Sequence, residues 1–156
     1  MSFDKKQITD FTERILKRSG MYSHEALDQM LKTLAQESHF GTYLYQRGGG
    51  PAKGPWQVEV GNEKDIWKNY LTGQSELVAA IKEITGVTGP NPDALEGDLR
   101  YNLIMARITY RRKRPRLPPV GATIEQAHYW KKHYNTFAGK GTIEEFIANS
   151  KKYLGV

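Results

Sequence analysis

Apolar residues recur at three- and four-residue steps along most of the chain, which is the pattern of amphipathic helices. The pattern predicts long helices over about residues 4–18, 23–40, 94–113, 123–133 and 142–153, and shorter ones after Asn62 and Ser75. The glycine- and proline-rich stretch YLYQRGGGPAKGPWQVEV interrupts it and predicts a loop leading into a short extended segment, Trp56–Val60. We therefore expect a mainly α fold, a single domain over residues 1–156 with a small extended segment.

Local signals mark where these helices begin and end. Ser23 is a good N-cap for the second helix, and Asn62 is placed to cap the short helix that follows the extended segment. Two pairs have the spacing of a capping box, in which a hydroxyl and an acceptor bond reciprocally at a helix start: Thr123 with Gln126, and Thr142 with Glu145. The run RPRLPPVG ends the helix over 94–113.

An acidic residue occupies a core position of the second predicted helix. Glu37 and Ser38 continue an apolar stripe formed by Leu27, Met30, Leu31 and Leu34. Partial burial and the nearby C-terminal end of the helix are both expected to raise the pKa of Glu37. A carboxyl group that stays protonated near neutral pH can act as a general acid. The same pattern also fits a surface glutamate at a frayed helix end.

Composition narrows the classes of function. The 156 residues include no cysteine, which excludes disulfides and thiol chemistry, and the four histidines lack the spacing of a metal site. The glycine run Gly48–Gly50 lacks the lysine and hydroxyl residue of a phosphate-binding loop, so no cofactor is expected. No apolar run is as long as a membrane span and MSFDKKQITDF is unlike a signal peptide, so we expect no transmembrane segment and synthesis in the cytoplasm.

The formal net charge of +6 favours an anionic partner, such as nucleic acid, lipid head groups or a bacterial wall. Much of the excess lies in RRKRPR, Arg111–Arg116. The simpler interpretation of this cluster is a solvated C-terminal helix turn, and the alternative is a nucleic-acid patch. No zinc-finger or RNA-binding motif accompanies it, so no specific nucleic acid is expected as a partner.

Four short motifs follow one another in a fixed order. They are Glu37-Ser38 at a helix end, the GPWQ stretch Gly54–Gln57, Asn102 in a long helix with Tyr110, and Tyr134-Asn135 after another helix. In this order they resemble the lysozyme-like lytic transglycosylase domain, whose motifs are E-S, G-L-M-Q, N-I with a downstream tyrosine, and A-Y-N. The resemblance covers about residues 23–136 and extends to goose-type lysozymes and to virion-associated or endolysin-type muralytic proteins of bacteriophages.

Two departures from the family pattern stand inside these motifs. Pro55-Trp56 replaces the usual Leu-Met pair, which reshapes the floor of the sugar groove, and His133 replaces the alanine before Tyr134-Asn135.

The resemblance implies a role for each matching residue in cleaving peptidoglycan glycan strands. Glu37 would protonate the glycosidic oxygen between N-acetylmuramic acid and N-acetylglucosamine and then take the proton of the muramyl C6 hydroxyl, leaving a 1,6-anhydro end. Tyr134 would place its hydroxyl on Glu37. The implied substrate-binding residues are Ser38, Gly54, Gln57 and Asn135. Gln57 would bond to sugar or to backbone in the cleft, Ser38 would bond near the substrate or to the neighbouring loop, and Asn135 would support the turn. Ordinary packing and hydrogen bonding at a helix cap is the alternative for Tyr134 and Gln57.

Aromatic side chains are candidates for stacking on the faces of sugars. Tyr43, Tyr45, Trp56 and Tyr129 are the candidates for the groove, and Trp130 and Trp67 are expected in the core.

Three alternatives stay open at the level of sequence. Hydrolysis requires a second carboxylate about 6.5–9.5 Å from the first in inverting enzymes, and Glu59 is the candidate because it follows Gln57 by two positions, on the same face of an extended segment. Glu59 equally fits a solvated strand residue. The second alternative is a basic virion structural or binding module without catalysis, and the third is a nucleic-acid binder that uses Arg111–Arg116.

The place of action follows from the muralytic resemblance. It implies an enzyme made in a host cytoplasm that acts on the bacterial cell wall, either after release or when delivered by a phage particle. In the second case phage tail or virion proteins would be partners.

Overall fold

The computed structural model describes residues 1–135 and 139–156. These residues form eight α-helices and one two-stranded antiparallel sheet, which confirms the expected mainly α fold. The helices are α1 (Lys5–Arg18), α2 (His24–Ser38), α3 (Val60–Asp65), α4 (Ser75–Thr85), α5 (Pro92–Gly97), α6 (Leu99–Arg111), α7 (Thr123–Trp130) and α8 (Ile143–Leu154), and the strands are β1 (Ala52–Lys53) and β2 (Val58–Glu59). No helix among the described residues has the length and apolar character needed to span a membrane.

Helix α6 lies at the centre of the fold. It packs against α1, α2, α4 and α5, and its residues 101–110 are buried except for Arg107. Helix α2 packs on a second side against α1 and α8. Fully buried side chains such as Leu34 and Leu103 each contribute roughly 2 kcal/mol to the stability of this core. Because α2 and α6 are buried along most of their lengths, they form a rigid base for the residues at their C-terminal ends.

The long helix predicted over 94–113 is two helices. Asp98 separates them, because its backbone is extended and its carboxylate accepts hydrogen bonds from the backbone N–H groups of Arg100 and Tyr101. An aspartate in this conformation caps a new helix instead of continuing the old one. The break lets α5 and α6 pack against each other.

One predicted capping box is present and the other is wrong. Thr142 and Glu145 bond reciprocally at the start of α8. At α7 the N-cap is Ala122, and the side chains of Thr123 and Gln126 both bind the ammonium of Lys32 instead, at 3.2 and 2.6 Å. The buried Lys32 requires these acceptors more than the helix end requires a cap, because an unpaired buried charge is costly.

The predicted cap at Asn62 is also wrong. Helix α3 begins earlier, at Val60, directly after the sheet, and Glu59 is its N-cap residue. The Asn62 side chain donates instead to the hydroxyl of Thr109 on α6, at 2.9 Å. The predicted extended segment Trp56–Val60 is correspondingly shorter, since only Val58–Glu59 is strand.

Two predicted helix ends move inward. Helix α2 ends at Ser38, because His39 and Phe40 both have positive φ angles, of 50° and 61°. The helix predicted over 123–133 is α-helical only to Trp130 and continues as a π-helical segment, Lys131–Asn135. Such segments are rare and occur often at functional sites.

Candidate active site

A cleft of about 590 Å³ opens beside the C-terminal end of α2, and Glu37 lies in its wall. The cleft joins residues that are far apart in sequence, from the sheet, the start of α3, the end of α6 and the π-helical segment. Its polar wall includes Gln57, Glu59, Asn62, Arg112, Lys113, His133, Tyr134 and Asn135. The sequence-predicted residues Glu37, Gln57, Glu59, Tyr134 and Asn135 are therefore brought together.

Glu37 is held in the cleft wall by one strong hydrogen bond. The indole N–H of Trp130 donates to its Oε2 at 2.8 Å, and part of the side chain stays open to the cleft. The pKa of Glu37 is raised to about 7. Burial is the main cause and the hydrogen bond from Trp130 acts against it, while the negative charge of Glu59 raises the pKa and the positive charge of Lys131 lowers it. At neutral pH the carboxyl group therefore exists in comparable amounts with and without its proton.

The Trp130 donor was not predicted as part of the site. Trp130 is fully buried, as expected of a core residue, and packs on Phe146 of α8 with ring centroids 5.2 Å apart. The sequence gives one signal, which is that Trp130 precedes Tyr134 by four residues, so both side chains lie on one face of a helical segment.

The GPWQ turn is fixed from below by Asn102 of α6. The Asn102 side chain accepts from the backbone N–H of Trp56 at 2.8 Å and donates to the carbonyls of Lys53 and Leu95, both at 2.9 Å. Gly54 has φ +74° and lies so close to this amide that a Cβ would be 2.3 Å from its Cγ. Gly54 is buried, so the prediction that it contacts substrate is wrong, and its place is explained by the approach of Asn102.

Trp56 does not line the groove. The side chain is fully buried in the main hydrophobic core, and its indole N–H donates to the carbonyl of Met30 on α2 at 2.9 Å. The prediction of a substrate-stacking Trp56 is wrong, because the turn directs this ring inward while the next residue, Gln57, faces the cleft.

Gln57 adopts a left-handed backbone with φ 51°, and its side-chain amide donates to the carbonyl of Gly54 at 2.9 Å. The expectation that Gln57 and Glu59 lie on one face of an extended strand is wrong, because Gln57 belongs to the turn. Both residues nevertheless line the cleft, and Glu59 is exposed at the end of β2. The turn therefore brings Gln57 to the same cleft as Glu59, which the predicted strand was expected to do.

Tyr134 does not bind Glu37. Its hydroxyl donates to the backbone carbonyl of Trp56, so the predicted hydrogen bond to the acid is wrong. The ring lies 5.0 Å from that of Tyr110, and burial, followed by the charge of Glu37, raises the pKa of the Tyr134 hydroxyl well above its ordinary value. Tyr134 therefore joins the π-helical segment to the GPWQ turn and keeps its proton at all relevant pH values.

Ser38 is fully buried, and its hydroxyl accepts from the backbone N–H of Gly41 at 2.8 Å. It therefore stabilises the loop after α2, which is the second of the two roles implied for it, and the prediction of a direct substrate contact is wrong. Tyr43 is half-buried, and the guanidinium of Arg47 lies over its ring, 4.3 Å from the ring centroid. Arg47 lines the cleft. Contact between Tyr43 and substrate stays a prediction.

The other two groove candidates differ in exposure. Tyr45 is exposed. Tyr129 is buried, and its hydroxyl donates to the carbonyl of Pro115 at 2.8 Å. It does not line the cleft, so the prediction of Tyr129 as a groove residue is wrong. Trp67 is half-buried against the core, and its indole N–H donates a hydrogen bond to the hydroxyl of Tyr101.

Lys131 orders the part of the cleft wall formed by Asn135 and Gly139. Its ammonium donates to Asn135 Oδ1 at 2.7 Å and to the carbonyls of Gly139 and Gly141 at 3.0 and 2.6 Å. Asn135 is thereby held in the cleft wall, and the positive charge of Lys131 is placed where it acts on Glu37. Nothing in the sequence distinguishes Lys131 from the other lysines of this region.

Over residues 1–135 and 139–156 no group of three or more histidine, aspartate and glutamate side chains is arranged to hold a metal ion. No family model, curated protein or solved structure matches the chain.

Proposed function

We propose that this protein cleaves peptidoglycan glycan strands at the bond between N-acetylmuramic acid and N-acetylglucosamine, as a lytic transglycosylase. The observation that carries the proposal is Glu37, a carboxyl group in the wall of an open cleft with a pKa of about 7. The ordered motifs that resemble the lysozyme-like lytic transglycosylase domain supply the class of substrate.

In the proposed first step the protonated Glu37 gives its proton to the glycosidic oxygen. The bond between that oxygen and C1 of the muramyl residue breaks, the N-acetylglucosamine end leaves with a hydroxyl group, and positive charge develops at C1. A group whose pKa lies near the working pH is the most effective donor for this transfer.

In the second step the same carboxylate accepts the proton of the muramyl C6 hydroxyl. The C6 oxygen attacks C1, a 1,6-anhydro ring forms, and Glu37 regains its proton, so no water is consumed. The hydrogen bond from Trp130 supports this stage, because an N–H donor stabilises the carboxylate form between the two transfers. A single acid with a near-neutral pKa can perform both roles.

Hydrolysis by a lysozyme-type mechanism is the second candidate, and Glu59 is the observation that favours it. Glu59 is exposed in the same cleft as Glu37, and its charge acts on the pKa of Glu37. A second carboxylate in this position has the chemistry needed to activate a water on the opposite face of the sugar. The products of the two candidate reactions differ by one water molecule, which hydrolysis adds and the transglycosylase reaction does not.

The proposed place of action is the bacterial cell wall, reached after release or from a phage particle whose tail proteins would then be partners. The positive net charge supports this, since a basic protein accumulates on anionic envelopes.

The decisive experiment incubates purified peptidoglycan with the wild-type protein and with Glu37→Gln and Glu59→Gln, and identifies the products by mass spectrometry. Products ending in 1,6-anhydromuramic acid, absent with Glu37→Gln, are the expected result. Reducing ends that disappear with Glu59→Gln would favour the hydrolase. If the folded wild-type protein gave no products, both enzymatic proposals would be overturned, and the non-catalytic binding module would be the remaining alternative.

A further inference from the structure

A second cavity, of about 540 Å³, lies at the C-terminal end of α6. We call it the basic pocket, because five of its lining side chains are cationic: Arg107, Arg111, Lys113, Arg114 and Arg116. Glu25 is the one acidic residue in its lining. Lys113 lines both cavities, but Glu37 is absent from the lining of the basic pocket.

Arg107 is the innermost of these cations and has no carboxylate partner in the described part of the chain. Its Nε donates to the carbonyl of Met21 at 3.1 Å, and the residue lines the cavity. Burial, together with the positive charge of Arg111, lowers the pKa of Arg107 to about 10. A half-buried guanidinium held beside a second cation is unfavourable unless an anion compensates it.

The rim of the basic pocket is a fixed turn. The hydroxyl of Tyr129 donates to the carbonyl of Pro115, the residue between Arg114 and Arg116, at 2.8 Å. Further along, the carboxylate of Asp28 accepts from the backbone N–H of Gly121 at 2.9 Å. These bonds fix the backbone of the turn that carries Arg114 and Arg116, both of which line the cavity.

We propose that the basic pocket binds a phosphate-bearing anion. Guanidinium groups match the geometry of phosphate oxygens and bind them through paired N–H donors. The cations surround a concave cavity instead of following an extended face, which fits a compact phosphate group better than a nucleic-acid backbone. Two sources share this chemistry, a free phosphate and the phosphate of a lipid head group.

The test is a titration with inorganic phosphate at constant ionic strength, followed by the NMR signals of the arginine side chains in the full-length protein. The Arg107 Nε–H signal is expected to shift and saturate. In the double variant Arg111→Gln with Arg114→Gln, which removes two of the five cations, the affinity should fall by about ten-fold or more. Both residues are exposed, so this variant should fold; Arg107→Met is the stricter variant, accepted only if its circular dichroism is unchanged.

The matched control is Lys82→Gln with Lys151→Gln, which removes the same charge from exposed positions on α4 and α8. Unchanged affinity in this control and loss in the pocket variant support the proposal. Equal loss in both, or the absence of a saturable shift, overturns it. Salt-sensitive DNA binding through the same arginines without saturable phosphate binding would also overturn it, in favour of a nucleic-acid patch.

Co-sedimentation with phosphatidylglycerol vesicles distinguishes a lipid head group from a free phosphate as the ligand. Vesicle binding that phosphate displaces and the pocket variant loses assigns the lipid head group. Phosphate binding without vesicle binding assigns a free phosphate. Because Glu37→Gln leaves the basic pocket intact, repeating the titration with it separates this proposal from the proposed glycan cleavage.

Discussion

Gly141 lies directly against the indole of Trp130. A Cβ atom at Gly141 would be 2.7 Å from Cη2 of that ring, which is closer than atoms of this kind approach. The absence of a side chain at Gly141 thus allows Trp130 to occupy the position from which it donates to Glu37.

The variant Gly141→Ala should therefore displace Trp130 and weaken its bond to Glu37. We expect a loss of about 1–3 kcal/mol in unfolding free energy, the usual cost of an overpacked site, and a fall in glycan cleavage. Gly61→Ala is the control, because nothing lies within 4 Å of a Cβ there. Chemical denaturation and a turnover assay measure both effects; a Gly141→Ala protein as stable and active as wild type would contradict the assigned contact.

Replacing Trp130 by phenylalanine removes the hydrogen-bond donor of Glu37. Since that bond lowers the pKa of the acid, Trp130→Phe should raise the pKa above about 7, as measured by the carboxyl carbon signal in an NMR titration. Trp67→Phe is the matched control, because it removes an indole N–H that bonds to Tyr101, outside the cleft. Equal shifts in both variants would show that the effect is not due to the Trp130 bond.

Removing the charge of Glu59 should lower the pKa of Glu37, since that charge raises it. The alkaline limb of the pH profile should then move to lower pH in Glu59→Gln. If Glu59 is only a neighbouring charge, turnover on the acidic plateau stays close to wild type; if it activates water, turnover falls by about 10²-fold or more at every pH. Glu83→Gln, exposed on α4, serves as the control.

Glu37→Gln should stabilise the protein above neutral pH. The unfolded carboxyl group loses its proton near pH 4.5, whereas the folded one retains it to about pH 7, so the stability of the wild type falls between these values as the pH rises. Glutamine does not titrate and can accept the same bond from Trp130. The difference in unfolding free energy should grow across this window to about 1–3 kcal/mol in favour of the variant; a difference independent of pH would contradict the raised pKa.

The sequence predicted those parts of the site that local periodicity determines. Glu37 was found because it continues an apolar stripe, and the α8 capping box because its partners are three residues apart. The Trp130 bond joins residues 93 positions apart, and the failed capping box at Thr123 depends on Lys32, 91 positions away. Trp56 was misplaced because Asn102, 46 positions on, fixes the turn that directs the ring inward. Contacts over such separations leave no periodic signal.

The three hydrogen bonds of the Asn102 amide connect the GPWQ turn, β1 and α5 to the central helix. These segments cannot open one at a time without leaving a buried amide group unpaired, so the turn and the central helix should open as one cooperative unit. The Trp56 amide, although it belongs to a loop, should then exchange its hydrogen with solvent as slowly as the amides in the middle of α6. The rim of the cleft is in this sense an extension of the folding core.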